Sequence, residues 1–283
     1  MNPPSDAISS GAVAPRSAQG VQAGGDGLAS PSPVSKVCAV PARDVVASSG
    51  RLAEVVYRGL EILVAAIGLT LAMPLMLIVA ILICWGSPGP ALFFHLRPGR
   101  SITMLGRELQ KRRDLLPPPG GYEPECLYFV PSYFRLPKFR TMYSDARTRF
   151  PEYYAYKFPS GEFHRQYPTN RCDPRLTREG RILRKLSVDE LPNLWCVLTG
   201  QVRLVGPRPE APEVLQYYSA EEMYKFACKP GITGLAQING RGLLNWGETL
   251  AWDLQYVRTR SVWLDLKIIA ITLKHVVTRH GAF

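Results

Sequence analysis

The sequence predicts a helix-rich α/β domain that one apolar segment attaches to a membrane. Residues Ile62–Cys84 form a stretch of 23 residues without a charged side chain, and a helix needs roughly 20 apolar residues to cross a bilayer core. Apolar residues recur at helical spacing in Leu250–Val257 and Leu264–Thr278. Lys138 and Arg140 alternate as they do on one face of an extended strand.

Composition divides the chain into three parts. Residues 1–50 are rich in Ala, Ser, Gly and Pro and show no apolar periodicity, which predicts a disordered tail. Because no apolar run lies close to Met1, a secretory signal is not predicted. We expect a membrane helix over residues 51–86 and a folded domain over residues 87–283.

The apolar segment is open to two interpretations. Pro74 lies near its midpoint and removes a helical hydrogen bond, so a kink or a break is expected there. Arginine and lysine residues occur on both sides of the segment, which favours two cytoplasmic flanks. A re-entrant hairpin that bends at Pro74 satisfies both observations, but kinked helices that cross the bilayer are also common.

The remaining elements follow from local signals. Residues 85–90 and 117–124 contain clustered Gly and Pro and are predicted to be turns, and residues 151–172 are predicted to be irregular. Helices are predicted over Arg175–Lys185, Leu191–Leu198 and Ser219–Phe226. For the helix Leu264–Thr278 we favour a face that packs on the core, with a position on the lipid surface as the alternative.

The formal net charge of +11 indicates anionic partners, which include phosphates, nucleic acid and acidic lipids. No groove-reading motif or stacking platform supports nucleic acid binding, so we do not predict it. The six cysteines are scattered and form no CxxC pair, which argues against a zinc site or a disulfide framework.

Two adjacent acids, Asp189 and Glu190, are the first candidates for chemistry. Ser187 and Glu190 also have the spacing of a helix capping box, and that structural role competes with a functional one. At a helix N-terminus we expect Asp189 to stay ionised. Two neighbouring carboxylates can share a Mg²⁺ ion, and an ionised Asp can attack phosphorus.

Three basic residues are candidate phosphate ligands. Lys138 and Arg140 could grip phosphate from one strand face, although a solvated basic strand is the simpler interpretation. Arg208 lies between Pro207 and Pro209 in a stiff loop, which would suit a preorganised anion contact.

Seven segments, in this order along the chain, resemble the bacterial sugar transferase family of monotopic phosphoglycosyl transferases. They are Ser87–Phe94, Lys138–Met142, Asp173–Lys185, Ser187–Glu210, Lys229–Arg241, Asp253–Val257 and Leu264–Ile269. Each segment is a modest signal, but the ordered set is specific and covers most of residues 51–280.

The resemblance implies that residues 87–283 are a catalytic domain that transfers a sugar-1-phosphate from a UDP-sugar to undecaprenyl phosphate and releases UMP. It implies that Asp189 is the nucleophile of a covalent intermediate and that Glu190 positions Mg²⁺ or handles a proton. It also implies that Lys138, Arg140 and Arg208 hold phosphates or the nucleotide, and that Asp253 is a further active-site acid.

The resemblance further implies a re-entrant helix broken near Pro74, amphipathic helices at the lipid interface and an active site on the cytoplasmic face of a bacterial inner membrane. The lipid bilayer is therefore an expected partner, and a homodimer is compatible with the family. The expected pathway is exopolysaccharide, capsule, O-antigen or glycoprotein glycan assembly. The alternative is a non-catalytic membrane scaffold that recruits glycosyltransferases, which the long loops and the tail suggest.

Overall fold

The structure is a computed structural model that describes residues 40–41, 51–112, 115, 117, 120–154, 158, 161–166, 173–240 and 243–278. The tail predicted over residues 1–50 lies outside the described residues except for Val40–Pro41, which form strand β1. The division of the chain into tail, membrane helix and catalytic domain stays a prediction.

Helix α1 spans Arg51–Gly86 and is the longest element of the described chain. Its residues Leu52–Gly86 are long and apolar enough to cross a bilayer by length and composition. The helical conformation continues through Pro74, so the chain does not leave the helix there, and the re-entrant bend at Pro74 stays a prediction. A proline inside a helix removes one hydrogen bond, and the turns on either side of Pro74 keep the helical conformation.

The main sheet is an antiparallel hairpin of two long strands, β2 (Leu92–Leu105) and β3 (Leu127–Phe139). The register shifts between Pro98 and Ser101, where the strand is irregular. Strand β1 pairs with the other edge of β3. Strands β2 and β3 pair over almost their whole length. Lys138 lies in β3, and Arg140 follows the last residue of that strand.

The remaining helices and strands are α2 (Gly106–Leu109), α3 (Ala146–Arg149), α4 (Arg178–Leu186), α5 (Leu194–Leu198), β4 (Arg203–Val205), β5 (Gly231–Thr233), α6 (Leu235–Gly240), α7 (Trp246–Thr259) and α8 (Val262–Thr278). Short 3-10 helices cover Pro151–Tyr154, Phe163–Arg165, Val188–Asn193, Pro212–Tyr217 and Glu222–Ala227. Strands β4 and β5 form a separate parallel pair.

The predicted helices are present with shifted bounds. The helix predicted over Leu191–Leu198 is a 3-10 helix that continues into α5, and the one predicted over Ser219–Phe226 is also a 3-10 helix. Ile268 of α8 is fully buried in an apolar core with Val205, Tyr256 and Val257, so the favoured interpretation of a core-facing helix is confirmed. The helix-rich α/β class is confirmed as well.

Candidate active site

The chain turns sharply at Ser187, between α4 and the 3-10 helix that carries Asp189. Ser187 has φ of 57° and ψ of 20° and ends α4, and its N–H donates to the carbonyl of Arg184. Because the next residues immediately start the 3-10 helix Val188–Asn193, the chain reverses sharply at this point. Asp189 is buried, with 8% of its surface exposed.

The structure places Lys138 beside the acidic pair. The Nζ atom of Lys138 donates to Oε1 of Glu190 at 2.6 Å, and both side chains are largely buried. The 3-10 helix that carries Asp189 packs against β3, which carries Lys138. A charge-assisted bond of this length fixes both partners, so Asp189, Glu190 and Lys138 form one cluster.

Burial changes the acidity of Asp189. Burial and the neighbouring Glu190 raise the pKa of Asp189 to about 6, although Lys138 and Arg184 act in the opposite direction. At neutral pH the carboxylate is therefore still mostly ionised, but it is more basic than an exposed Asp. Such a carboxylate is a stronger nucleophile than an ordinary one, because its negative charge is poorly solvated.

The side-chain cap expected at this turn is absent. The structure shows no side-chain cap from Ser187 to the 3-10 helix, because the left-handed backbone at Ser187 closes α4 instead of opening a new α-helix. Burial and Glu190 raise the pKa of Asp189, but at about 6 it agrees with the expectation that Asp189 stays ionised at neutral pH. A capping box does occur at α7, between Asn245 and Glu248.

Arg140 has a different environment from that expected of a phosphate ligand. Its guanidinium is buried and donates to the carbonyls of Ile83 and Ser87, at 3.3 and 2.7 Å, and to that of Pro88. Gly89 has φ of 118°, and a Cβ atom there would lie 2.5 Å from Nη1 of Arg140. Arg140 thus satisfies carbonyl groups at the C-terminal end of α1 and fills the space that a glycine leaves.

Arg208 and Asp253 meet in a second cluster. Asp253 is fully buried next to the backbone of Arg208, whose side chain is exposed. Oδ2 of Asp253 lies 2.8 Å from Nζ of Lys225, and Lys225 also donates to Glu210 at 3.0 Å. The two carboxylates outweigh burial and raise the pKa of Lys225. Asp253 therefore holds the Arg208 loop through a buried ionic triad.

Lys225 and Glu210 are residues that sequence reasoning missed. Glu210 was visible at the end of the motif containing Arg208, but nothing in its spacing pointed to Lys225. A lysine between Tyr224 and Phe226, in a segment with buried apolar neighbours, is the one signal that could have indicated a buried partner for an acid.

The segment that carries Asp189 runs along α1 in the opposite direction. Leu183 and Val188 pack with Val79 and Ile83 of α1. Further along, a Cβ atom at Gly68 of α1 would lie 3.3 Å from Leu194. Asp189 directly follows Val188, so it lies near the C-terminal half of α1.

Charged side chains bind the N-terminal half of α1 to the same domain. Arg58 donates to the carbonyls of Val197 and Leu198 at the end of α5. Glu54 accepts hydrogen bonds from Arg203 and Arg260, and the fully buried Glu61 accepts the N–H of Leu204 at 2.9 Å. Sequence reasoning missed these contacts, although residues 54, 58 and 61 share one helical face by their spacing.

Residues 52–108 and 129–279 match the family described as bacterial sugar transferase, which is more than half of the chain. The chain is similar to an undecaprenyl-phosphate glucose phosphotransferase of Komagataeibacter xylinus, with 36% identity over 78% of this chain and 36% of that protein. It is also similar to a UDP-glucose:undecaprenyl-phosphate glucose-1-phosphate transferase of Caulobacter vibrioides, with 36% identity over 80% of this chain and 71% of that protein.

A third relative is a UDP-N-acetylgalactosamine-undecaprenyl-phosphate N-acetylgalactosaminephosphotransferase of Aeromonas hydrophila, with 31% identity over 80% of this chain and 45% of that protein. The chain thus spans less than half the length of the Komagataeibacter and Aeromonas proteins.

Proposed function

Since the chain belongs to the bacterial sugar transferase family, we propose that it transfers a sugar-1-phosphate from a UDP-sugar to undecaprenyl phosphate and releases UMP. Two of the relatives described above are named for glucose and one for N-acetylgalactosamine, and they support this reaction class without selecting a sugar. The observation that carries the proposal is the buried Asp189, paired in sequence with a Glu190 that is bound to Lys138.

Asp189 is the proposed nucleophile. Its carboxylate oxygen attacks the phosphorus that bears the sugar, the bond from that phosphorus to the bridging oxygen breaks, and UMP leaves with the bridging oxygen. A phosphate oxygen of undecaprenyl phosphate then attacks the same phosphorus, and the Asp189 carboxylate is the leaving group. The raised pKa of about 6 supports this role, since nucleophilicity increases with basicity while most of the group stays ionised at neutral pH.

Lys138 and Glu190 have supporting roles in this proposal. Lys138 presents a positive charge next to the nucleophile, where phosphate charge must be neutralised in the transition state. Glu190 holds Lys138 in place at 2.6 Å. Arg208 has an exposed side chain, and its backbone packs next to the buried Asp253, so the side chain can contact the nucleotide. The Arg140 guanidinium, in contrast, binds carbonyl groups at the end of α1.

The acidic pair fits a Mg²⁺ ion that is bound together with the substrate. Among the described residues no group of three or more His, Cys, Asp or Glu side chains converges as a metal site. Mg²⁺ is often bound through one or two carboxylates and substrate phosphates with water completing the shell, and Asp189 and Glu190 can supply those carboxylates. The ion would neutralise the charge of the diphosphate when bound.

The contacts of α1 support a re-entrant course through the bilayer. Arg58 near its start and Ile83 near its end both contact the folded domain, and Asp189 directly follows Val188, which packs on α1. A straight crossing would put the domain surface between these contacts inside the bilayer, where charged groups are costly. We therefore propose that both ends of α1 lie on one side, with the active site at the cytoplasmic face that the flanking basic residues favour.

The test is UMP release by protein in nanodiscs with Mg²⁺, undecaprenyl phosphate and a panel of UDP-sugars. We expect release that depends on the lipid acceptor and is lost in Asp189→Asn. The exposed Asp145→Asn variant makes the same chemical change outside the site and should keep full activity. Full activity in Asp189→Asn would overturn the assigned mechanism, and absence of turnover with every donor would favour the scaffold alternative.

A further inference from the structure

The helix that leads into Asp189 has an exposed face with an unusual composition. At about 100° per residue, five of the six exposed side chains of α4 fall on one arc of roughly 140°, and the sixth, Arg184, lies beside this arc and donates to Thr141. This arc holds three basic and two aliphatic residues and no acid, and they are Arg178, Arg181, Ile182, Lys185 and Leu186. Ile182 and Leu186 are 55% and 58% exposed, so this face is not used in the core.

The aliphatic side of this arc is the side next to the membrane helix. On the helical wheel Leu186 is followed by Glu179, and Glu179 touches the end of α1, where a Cβ atom at Gly86 would lie 2.8 Å from its carboxyl carbon. The basic residues lie on the far side of the arc. The last turn of α1 also carries Trp85, which is 85% exposed, and tryptophan is enriched where a membrane meets water.

From this arrangement we propose that α4 lies on the bilayer surface, with Ile182 and Leu186 in the apolar boundary and the three basic residues on anionic phospholipid headgroups. Apolar and basic side chains arranged side by side on one helix are the pattern of a helix that lies in the interface. The aliphatic edge of this face borders Glu179, which touches the end of α1, and the charge of the face is complementary to an acidic leaflet. The inference rests on the membrane position of α1 in the proposed function.

The docked helix has a consequence for the site. Only Ser187 and Val188 separate α4 from Asp189, and Arg184 of the same helix donates to Thr141, next to the strand that carries Lys138. Anionic lipid therefore holds the turn that presents the nucleophile. Each basic residue near an anionic surface contributes about fivefold to association, so three together contribute roughly a hundredfold to the docked state of α4.

The experiment places a bimane label at position 182 or 71 and measures quenching by nitroxide-labelled lipid in nanodiscs. Cys38, Cys84, Cys126 and Cys172 are first changed to Ser, and the labels are introduced as Ile182→Cys and Leu71→Cys. Leu71 is 76% exposed on α1 and reports the membrane position of that helix. Discs of phosphatidylcholine are compared with discs that also contain phosphatidylglycerol.

We expect quenching at position 182 that increases with phosphatidylglycerol, and loss of that increase in the triple variant Arg178→Gln, Arg181→Gln, Lys185→Gln. A matched triple variant with the same charge change, at the exposed residues Arg107, Lys111 and Arg147, should retain it. Quenching at position 71 alone, or equal quenching at position 182 with and without phosphatidylglycerol, would overturn the inference.

Two further outcomes separate this inference from the proposed function. Absence of quenching at both positions would overturn the inference together with the membrane position of α1. UMP release measured in the same discs reports the proposed reaction independently, so active protein without quenching at position 182 would contradict only the role of α4.

Discussion

Lys138 offers the sharpest prediction, because the structure assigns it two separable effects. It donates to Glu190 at 2.6 Å and lowers the pKa of Asp189 against the effects of burial and Glu190. We expect Lys138→Gln to raise the pKa of Asp189 further above 6. An opposite charge at short range shifts a carboxyl pKa by about 1–3 units, so the new value should be about 7 or higher.

The magnitude follows from the ionised fraction of Asp189. At pH 6 about half of the wild-type carboxylates are ionised, and about a tenth are ionised if the pKa is 7, which predicts roughly fivefold less nucleophile. Above pH 8 this difference disappears, and any remaining loss of rate reports the missing phosphate contact of Lys138. The pH position and the plateau therefore measure different roles of one side chain.

The assay is the pH dependence of kcat for UMP release, with saturating donor and acceptor. The acidic limb of the profile should lie near pH 6 in the wild type and about one unit higher in Lys138→Gln. Arg149→Gln removes an exposed cation that pairs with Asp145 and should leave the limb in place. An acidic limb that stays at the same pH in Lys138→Gln would refute the electrostatic account, even if the plateau rate falls.

Three further predictions concern stability and positioning. Asp189→Asn should raise the free energy of unfolding at pH 8 by up to about 3 kcal/mol, since the folded-state pKa of Asp189, about 6, lies roughly two units above that of the unfolded chain. The gain should disappear as the pH falls from 6 to 4, because the wild-type carboxyl is then protonated in the folded state. Thermal unfolding in detergent at pH 8 and pH 4 checks this. Arg140→Lys should lower stability by about 2 kcal/mol through lost carbonyl contacts and leave the KM for the UDP-sugar unchanged, whereas a large rise in KM would restore the phosphate-ligand interpretation. Ser187→Gly should leave the free energy of unfolding unchanged or raise it by up to about 1 kcal/mol, because glycine tolerates φ of 57°. Ser187→Val should reduce both stability and activity. Equal effects of the two changes would contradict the left-handed turn.

The sequence identified Lys138, Asp189 and Glu190 as candidate site residues. It did not predict that Lys138 contacts Glu190, because the two residues are 52 apart along the chain and meet only in the fold. The environment of Arg140 was not predicted either. Alternation places Lys138 and Arg140 on one face only if the strand extends through both residues. Strand β3 ends at Phe139, and the guanidinium of the next residue, Arg140, donates to carbonyl groups at the end of α1.

The acidity of Asp189 could not be predicted from local sequence for a similar reason. Spacing suggested a helix cap and an ionised Asp189, but the burial that raises its pKa depends on β3 and α1, which are distant along the chain. The membrane helix shows the same limit. Its length and apolar character were evident, whereas the positions of Glu54 and Glu61 against β4 and its neighbours required the folded domain.

The proposed mechanism requires that Asp189 carries the phosphosugar during transfer. The direct measurement is a single turnover with UDP-sugar and Mg²⁺ in the absence of undecaprenyl phosphate, followed by mass spectrometry of the protein and its peptides. We expect release of UMP with a sugar phosphate attached to the peptide that contains Asp189, in Asp145→Asn as in the wild type and not in Asp189→Asn. UMP release that requires the lipid acceptor, with no adduct on the protein, or an adduct on a different residue, would contradict it.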